Sequence, residues 1–183
     1  MPNPSYSEHY TYDDYKIWGG DWELIDGRPF AMSPSPNIKH QRLAAEIIRF
    51  IGNQLDSCRE CEVLAGIDYK IKSDTVLKSD IAVTCNETHE AYLTKAPEII
   101  FEIISPSTAK KDESYKFGIY ESEKVGYYVL VYPEDLKAKV FKLKNGKFDK
   151  EGDYTLETYG FEDTRCKLVL NFSEVFKRFL SPL

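Results

Sequence analysis

The chain has 183 residues, of which 42% are hydrophobic, and a formal net charge of -6 at pH 7. A chain of this length and apolar content can bury a core of its own, so we predict one domain over residues 1–183. Because the net charge is negative, the protein as a whole is not attracted to polyanions, so any contact with nucleic acid needs a local basic patch. No run of about 18 apolar residues occurs and the N-terminus is polar, so we expect a cytoplasmic protein without membrane contact.

The first predicted elements are a β-hairpin and a helix. Two short apolar stretches flank Asp26-Gly27, a dipeptide typical of tight hairpin turns. Residues 37–55 then place apolar side chains near helical spacing, with Asn37 as the candidate N-cap. The N-terminal tyrosines are predicted to pack over the fold or mediate oligomer contacts, with stacking on bases as the alternative; they are Tyr6, Tyr10, Tyr12 and Tyr15.

Three predicted strands follow, at residues 61–72, 79–85 and 98–105. Residues 105–126 begin with cap-type residues and form a helix, and residues 127–133 are another apolar strand. Because a helix connects two strongly apolar strands, we expect strands 98–105 and 127–133 to be parallel and central in the sheet.

The C-terminal part, residues 136–183, is predicted to contain a second hairpin and a short helix. Alternating polar and apolar residues flank Asn145-Gly146, the strongest kind of short-range hairpin signal. Residues 173–180 are amphipathic and form the closing helix. The predicted fold class is therefore α/β with a mixed sheet.

The four cysteines give an incomplete metal motif. Cys58 and Cys61 have the spacing of a metal-binding pair, but Cys85 and Cys166 stand alone in the sequence. Neither a second cysteine pair nor a spaced pair of histidines completes a zinc site. We therefore predict reduced thiols, with structural zinc as the less favoured alternative.

One carboxylate, Glu102, interrupts the apolar strand at residues 98–105. An ionised carboxylate taken out of water costs several kcal/mol unless a metal, a cation or hydrogen-bond donors receive it. Glu102 therefore has such a partner or lies at an open end of the strand. Taken alone, this strand favours exposure at its end or a structural ion pair with one Lys or Arg.

Two further residues complete a candidate catalytic set with Glu102. Asp80 lies at the start of the preceding strand, and Lys116 lies on the following helix. Carboxylates on neighbouring strands can converge on one point, and Mg²⁺ or Mn²⁺ prefers such oxygen ligands. A nearby lysine could position an attacking water.

The stretches that contain these residues resemble a known family. WELIDGRPFAMSPSP, HQRLAAEI, SDIAV and APEIIFEIISPSTAKKDESYKFGIYESEKVGYYVLVYPED together are similar to the Uma family of bacterial restriction-endonuclease-like proteins, within the PD-(D/E)XK nuclease superfamily. The resemblance covers roughly residues 12–135. It implies a restriction-endonuclease-like mixed central sheet flanked by helices, with the hairpins as additions.

The resemblance also implies roles for individual residues. Asp80 and Glu102 match the two acids of the superfamily, and Lys116 matches its lysine. That lysine normally lies two residues after the second acid, where this chain has Ile104, so it has moved to the following helix. The implied activity is that of a metal-dependent endonuclease in which Asp80, Glu102 and the backbone carbonyl of Ile103 hold Mg²⁺ or Mn²⁺.

DNA is the expected substrate, and a homodimer is the expected assembly. RNA or a small nucleotide is a further candidate substrate. The alternative to an enzyme is a catalytically inactive binding or assembly module of the same fold, in which Glu102 and Lys116 form a structural ion pair.

Six further residues are accessory candidates, each with a structural explanation beside the functional one. Glu23 is either a third carboxylate or an exposed hairpin residue, and His40 contacts phosphate, caps the helix or is structural. Glu46 could help to hold metal, although a solvated helix face is the favoured interpretation. The remaining three lie before Lys116: Asp112 orients its ammonium or forms an ordinary helix pair, and Lys110 and Lys111 bind nucleic acid or form a solvated helix start.

Overall fold

The computed structural model describes residues 8–32 and 37–180. The helices are α1 (Tyr12–Tyr15), α2 (Ile38–Leu55), a π-helical turn (Lys111–Lys116) that continues directly into α3 (Phe117–Ser122), and α4 (Phe172–Leu180). The strands are β1 (Trp22–Ile25), β2 (Arg28–Ala31), β3 (Cys61–Ala65), β4 (Asp68–Lys72), β5 (Thr75–Lys78), β6 (Ile81–Cys85), β7 (Ile99–Ile103), β8 (Tyr127–Tyr132), β9 (Lys137–Lys144), β10 (Lys147–Tyr154), β11 (Thr158–Phe161) and β12 (Leu168–Asn171).

The described strands form three sheets. The largest has six strands in the order β10-β9-β8-β7-β6-β3, and β7 and β8 at its centre are parallel. A second sheet has the order β2-β1-β5-β4, and β11 pairs with β12 in a third. The expected α/β class, mixed sheet and central parallel pair are thus confirmed.

Side chains on the two faces of β7 enter different apolar clusters. Ile99, Phe101 and Ile103 pack with α2, α4 and the β11-β12 pair, whereas Ile100 packs with α3 and the aromatic residues of β8. Because side chains alternate along a strand, Glu102 lies on the same face as Ile100. Glu102 is therefore buried in mid-strand, and its exposure at a strand end was a wrong expectation.

The two predicted hairpins and the first long helix are confirmed. Asp26-Gly27 and Asn145-Gly146 form the turns, and all four residues have positive φ values, which Gly, Asn and Asp tolerate best. Helix α2 begins after Asn37, whose side chain accepts a hydrogen bond from the backbone N–H of His40.

The prediction of one strand over residues 61–72 is wrong. The chain turns at Gly66, where φ is +58°, and β3 and β4 enter different sheets. Strand β5, which the sequence analysis missed, then pairs with both β4 and β1. The short strands β11 and β12 were missed as well.

The expectation of free thiols is also wrong for this structure. Cys58 is disulfide-bonded to Cys166, and Cys61 is bonded to Cys85. Cys61 and Cys85 face each other directly in the antiparallel pairing of β3 with β6. Spacing along the chain gave no indication of these partners because 108 residues separate the first pair and 24 the second.

The N-terminal tyrosines that the structure describes pack over the fold, as predicted. Tyr12 contacts the ring of Tyr92, Tyr10 contacts Trp18, and the Tyr15 hydroxyl donates to Asp68. Tyr6 lies outside the described residues. Among the described helices, none has both the length and the apolarity needed to cross a lipid bilayer.

Glu87 holds the loop at residues 86–96 together, and its carboxylate makes this loop sensitive to acid. Its oxygens accept backbone N–H groups of Thr88, His89, Thr94 and Lys95 at 2.7–3.2 Å. Burial opposes ionisation, but these donors outweigh it and lower the pKa of Glu87 to about 2.

We expect hydrogen-exchange protection in this loop to be complete above the ordinary pKa of 4.5 and to be lost as the pH falls toward about 2. Glu87→Gln should lose that protection already at neutral pH, measured by mass spectrometry and corrected for intrinsic exchange rates. Glu90→Gln, at an exposed position in the same loop, is the matched control and should behave as the wild type. Equal protection in wild type and Glu87→Gln at neutral pH would contradict this account.

Candidate active site

Asp80 and Glu102 meet where β6 begins beside β7. The antiparallel register pairs Ile81 with Phe101, which places Asp80 next to the last residues of β7. The Asp80 Oδ2 atom accepts a hydrogen bond of 2.7 Å from the backbone N–H of Ile103, and the Asp80 N–H lies 3.4 Å from Glu102 Oε2. The strand pairing thus fixes the two carboxylates against each other.

Lys116 is buried at the centre of this site, with 2% of its side chain exposed. Its Nζ atom lies 3.0 Å from Glu102 Oε1, 2.8 Å from Glu23 Oε1 and 3.4 Å from Asp112 Oδ1. It also donates to the backbone carbonyl of Lys78 at 2.8 Å. One ammonium group therefore joins residues from β1, β5, β7 and the π-helical turn.

The π-helical turn explains how two lysines reach the same carboxylate. Lys116 and Lys111 both form ion pairs with Glu23, one to each of its oxygens. A π turn bonds residue i to i+5 rather than i+4, so residues five apart come to lie over one another. In a regular α-helix these two side chains would point in different directions.

The four carboxylates of the site differ in how readily they ionise. Burial raises the pKa of Glu102 well above its ordinary value, and Lys116 offsets only part of that effect. Burial also raises the pKa of Asp112. At Glu23 burial opposes ionisation, but Lys116 and Lys111 outweigh it and lower the pKa. Glu102 is thus the carboxylate that holds a proton most easily.

Asp80 is kept ionised by its neighbours. Burial opposes its charge, but hydrogen bonds from the His40 ring and the Ile103 N–H outweigh burial and lower the pKa of Asp80. The His40 Nε2 atom lies 3.2 Å from Asp80 Oδ2 and acts as the donor, since an ionised carboxylate can only accept. His40 therefore orients Asp80, and the cap of α2 is Asn37 rather than His40.

These side chains line an open cleft of about 410 Å³. The cleft is lined by the charged residues Asp80, Glu102, Asp112 and Lys116, and also by Pro133 and the chain segment 105–108. This volume is within the range of small-molecule sites. Its position at the ends of β7 and β8 agrees with the tendency of α/β proteins to bind ligands at such strand ends.

The donor set fits a divalent cation. Among the described residues, none donates a hydrogen bond to Asp80 Oδ1, and Glu102 Oε2 has only the long contact from the Asp80 N–H. Three carboxyl groups contact the two lysine ammonium groups, and Asp80 adds a fourth beside them, so acidic groups outnumber the lysines. Carboxylate oxygens are hard ligands of the kind that Mg²⁺ and Mn²⁺ prefer.

Two accessory candidates, Glu23 and Glu46, are buried. Glu23 is fully buried within the Lys116 network, so its interpretation as an exposed hairpin residue is wrong. Glu46 is buried too, not solvated: its carboxylate pairs with Arg49 and with Arg178 of α4, and it is not part of the cleft wall. The helical period alone could not reveal this burial because α4 covers that face of α2.

The two lysines that were predicted to form a basic patch, Lys110 and Lys111, lie in different environments. Lys110 is exposed, whereas Lys111 is half-buried against Glu23. Asp112 pairs with Lys116 and lies in the cleft wall, which agrees with both of its interpretations.

Two further groups belong to the site and were not predicted to do so: the Tyr120 side chain and the Lys78 carbonyl. The buried Tyr120 hydroxyl donates to Glu102 Oε1 at 3.3 Å. A spacing of four residues between Lys116 and Tyr120 was the available signal. The Lys78 carbonyl gave none, because backbone groups carry no sequence pattern.

Replacing Lys116 with methionine should destabilise the fold strongly. Lys116→Met leaves Glu23 and Glu102 buried without this cation, and breaking such a pair costs about 3–5 kcal/mol of unfolding free energy. The loss should grow as the pH rises, because the uncompensated carboxyl groups then have raised folded-state pKa values and their stabilising protons leave.

Urea denaturation of wild type and variant at several pH values measures this effect. Lys147→Met is the matched control, since it breaks an exposed pair with Glu121 that is worth at most about 1 kcal/mol. A Lys116→Met loss no larger than the control's would show that the buried cluster contributes little.

Comparisons with known proteins agree with this architecture. A solved structure described as "a putative nuclease belonging to DUF820" from Anabaena variabilis superposes with a TM-score of 0.72 at 17% identity, covering 93% of this chain and 99% of that one. The DrdV–DNA complex covers 79% of this chain and 14% of its own at 12% identity, with a TM-score of 0.33, from which nothing is drawn. A search of curated proteins gives no match.

The sequence model of one family covers most of the chain. The family is Uma2, described as "Putative restriction endonuclease", and its model matches residues 12–172. This range includes every residue of the cleft named above. The chain therefore belongs to the Uma2 family.

Proposed function

We propose that this protein is a divalent-metal-dependent nuclease that hydrolyses phosphodiester bonds, with DNA as its substrate. Membership of a family described as "Putative restriction endonuclease" supports the reaction class. The observation that carries the proposal is the convergence of Asp80, Glu102 and Lys116 at one open cleft. A cleft lined by ionisable residues with shifted pKa values is a typical feature of active sites, although structural ion-pair clusters share it.

In this proposal Asp80 and Glu102 hold Mg²⁺ or Mn²⁺, with the Ile103 carbonyl as a third protein ligand. A bound divalent ion supplies Lewis-acid stabilisation of charge that develops on the phosphate. His40 keeps Asp80 oriented through its Nε2–H. Asp80 is already ionised and offers its Oδ1 atom, so the site is partly prepared for a cation.

Lys116 is assigned the task of orienting the attacking water. An ammonium group has three protons, and here it has four oxygen neighbours: Glu23, Glu102, Asp112 and the Lys78 carbonyl. Lys116 therefore has to give up at least one of these contacts when water is positioned. Glu102 would be both a ligand of the divalent ion and a partner of Lys116, so its contact with Lys116 is the one that we expect to be exchanged for water.

Nucleic acid reaches the cleft through its open side. The exposed Lys110, next to the cleft wall, is positioned to contact a phosphate, while Lys111 remains committed to Glu23. A net charge of -6 makes non-specific attraction weak, so a homodimer that contributes two binding surfaces is the assembly we propose.

A second candidate function is a catalytically inactive binding or assembly module. The specific observation that favours it is the saturation of Lys116, whose three N–H groups are all engaged by buried acceptors. In that case the cluster is a structural element that joins β1, β7 and the π-helical turn. Metal binding separates the two functions, because a closed ion cluster has no need of a divalent cation.

Metal binding should be detectable without knowledge of the substrate. We expect Mg²⁺ and Mn²⁺ to bind wild type in calorimetry and expect Glu102→Gln to abolish that heat. Glu62→Gln, which changes an exposed carboxylate on β3, is the control and should bind as the wild type does. The absence of binding in folded wild type would favour the inactive module.

Cleavage of plasmid and linear DNA with Mn²⁺ or Mg²⁺ tests the assigned roles. We expect Asp80→Asn and Lys116→Ala each to lower the cleavage rate by at least about 100-fold, the usual effect of removing a proton-handling or charged catalytic group. Lys147→Ala, far from the cleft, should cleave at the wild-type rate. Because Lys116→Ala also weakens the fold, the nearly isosteric Asp80→Asn is the decisive variant, and its full activity would contradict the metal-ligand assignment.

A further inference from the structure

Four cysteines that the sequence scatters come together at the end of the fold opposite the cleft. The sulfur atoms of Cys58, Cys61 and Cys166 lie within 4.8 Å of one another. The fourth, Cys85, is bonded to Cys61. The two disulfides thus form one sulfur cluster, in which the Cys58-x-x-Cys61 turn joins one disulfide to the other.

We propose that the same four cysteines, when reduced, bind one Zn²⁺ ion in a tetrahedral site. Zn–S bonds of about 2.3 Å in a tetrahedron place neighbouring sulfurs just under about 4 Å apart. Three of the sulfurs already lie within 4.8 Å of one another, and the fourth, Cys85, has to separate from Cys61 on reduction to reach this spacing. Cys85 and Cys166 supply the second pair of ligands that the sequence pattern lacks.

The surroundings of the cluster suit a structural metal site. Cys61 and Cys166 are buried and Cys58 and Cys85 are half-buried, so the ligands are held by the fold and largely shielded from water. They come from the turn after α2, from β3, from β6 and from the segment before β12. An ion here would join the helix, two strands of the large sheet and the β11-β12 pair.

Charges of both signs surround the cluster. Arg59 lies between Cys58 and Cys61, and Arg165 and Lys167 flank Cys166, but Glu60 and Glu62 flank Cys61 and Arg165 pairs with Glu60 at 3.4 Å. Zn²⁺ with four thiolates carries a net charge of about -2. The proposal therefore rests on the position and burial of the sulfurs and not on the neighbouring charges.

The cysteine cluster is distinct from the proposed catalytic site. Asp80 precedes β6 and Cys85 ends it, so the two sites are separated by the length of that strand, roughly 17 Å at about 3.4 Å per residue. The ligand types differ as well, because thiolates select Zn²⁺ and Co²⁺ whereas the carboxylates of the cleft select Mg²⁺ and Mn²⁺.

The conversion between the two states balances chemically. An added dithiol delivers two electrons and two protons to each disulfide, giving four protein thiols and two molecules of oxidised dithiol. Zn²⁺ then binds the four sulfurs as thiolates, and the four thiol protons pass to solvent. The cluster is therefore either two disulfides or one metal site, according to the redox conditions.

Titration of Co²⁺ into the full-length reduced protein, after anaerobic removal of the dithiol, tests the proposal. We expect a thiolate-to-metal charge-transfer band in the near ultraviolet and intense visible bands typical of tetrahedral Co²⁺, saturating at one ion per chain. Zn²⁺ should abolish both, because it binds such sites more tightly than Co²⁺ does. The oxidised protein should give no band.

Variants identify the ligands. Cys85→Ser and Cys166→Ser should each lower the charge-transfer intensity at saturation by about one quarter, since one of four thiolate bonds is lost. Asp80→Asn, which alters the cleft, is the control and should retain the full spectrum. Reduced wild type with four titratable thiols and a native circular dichroism spectrum, but without the band, would overturn the proposal whether or not the variants fold. A band unchanged by both serine variants would overturn the four-cysteine ligand set.

Discussion

The buried ammonium of Lys116 is the interaction on which the rest of this site depends. It lies among Glu23, Glu102 and Asp112, which come from β1, β7 and the π-helical turn. Each buried charge alone would cost several kcal/mol of desolvation, so the cluster is tolerated only when all its members are present. The small sheet and the large sheet are thereby held together at the cleft by electrostatics as well as by apolar packing.

The surroundings shift the pKa values of the two metal-ligand candidates in opposite directions. Asp80, supported by His40 and the Ile103 N–H, is an ionised acceptor with one oxygen facing no donor among the described residues. Glu102, deeper in the strand, has a pKa raised by burial and shares its Oε1 atom with Lys116 and Tyr120. The two carboxylates thus lie side by side in different electrostatic environments.

Helix α2 and strand β6 connect two chemically different ends of the molecule. One end carries the imidazole of His40 and the carboxylate of Asp80, and the other carries the sulfur atoms of Cys58 and Cys85. A disulfide or a metal ion that holds Cys58 and Cys85 in place also restrains α2 and β6, the two elements that position Asp80. Redox or metal chemistry at the cysteines would therefore influence the rigidity of the cleft without touching it.

Local signals in the sequence were enough to predict several of the elements. Asn145-Gly146 and Asp26-Gly27 specified their turns, apolar periodicity specified α2, and the apolar runs around a crossover helix specified the parallel pair β7 and β8. The sequence also indicated Asp80, Glu102 and Lys116. A carboxylate inside a buried strand requires a partner, and the family resemblance identified Asp80 and Lys116 as candidates. The burial of Glu23 and Glu46, the saturation of Lys116 and the pairing of the cysteines became visible only in the folded chain. These features depend on contacts between residues far apart in the chain. The hydrophobic periodicity of one helix or strand does not show which other elements pack against it.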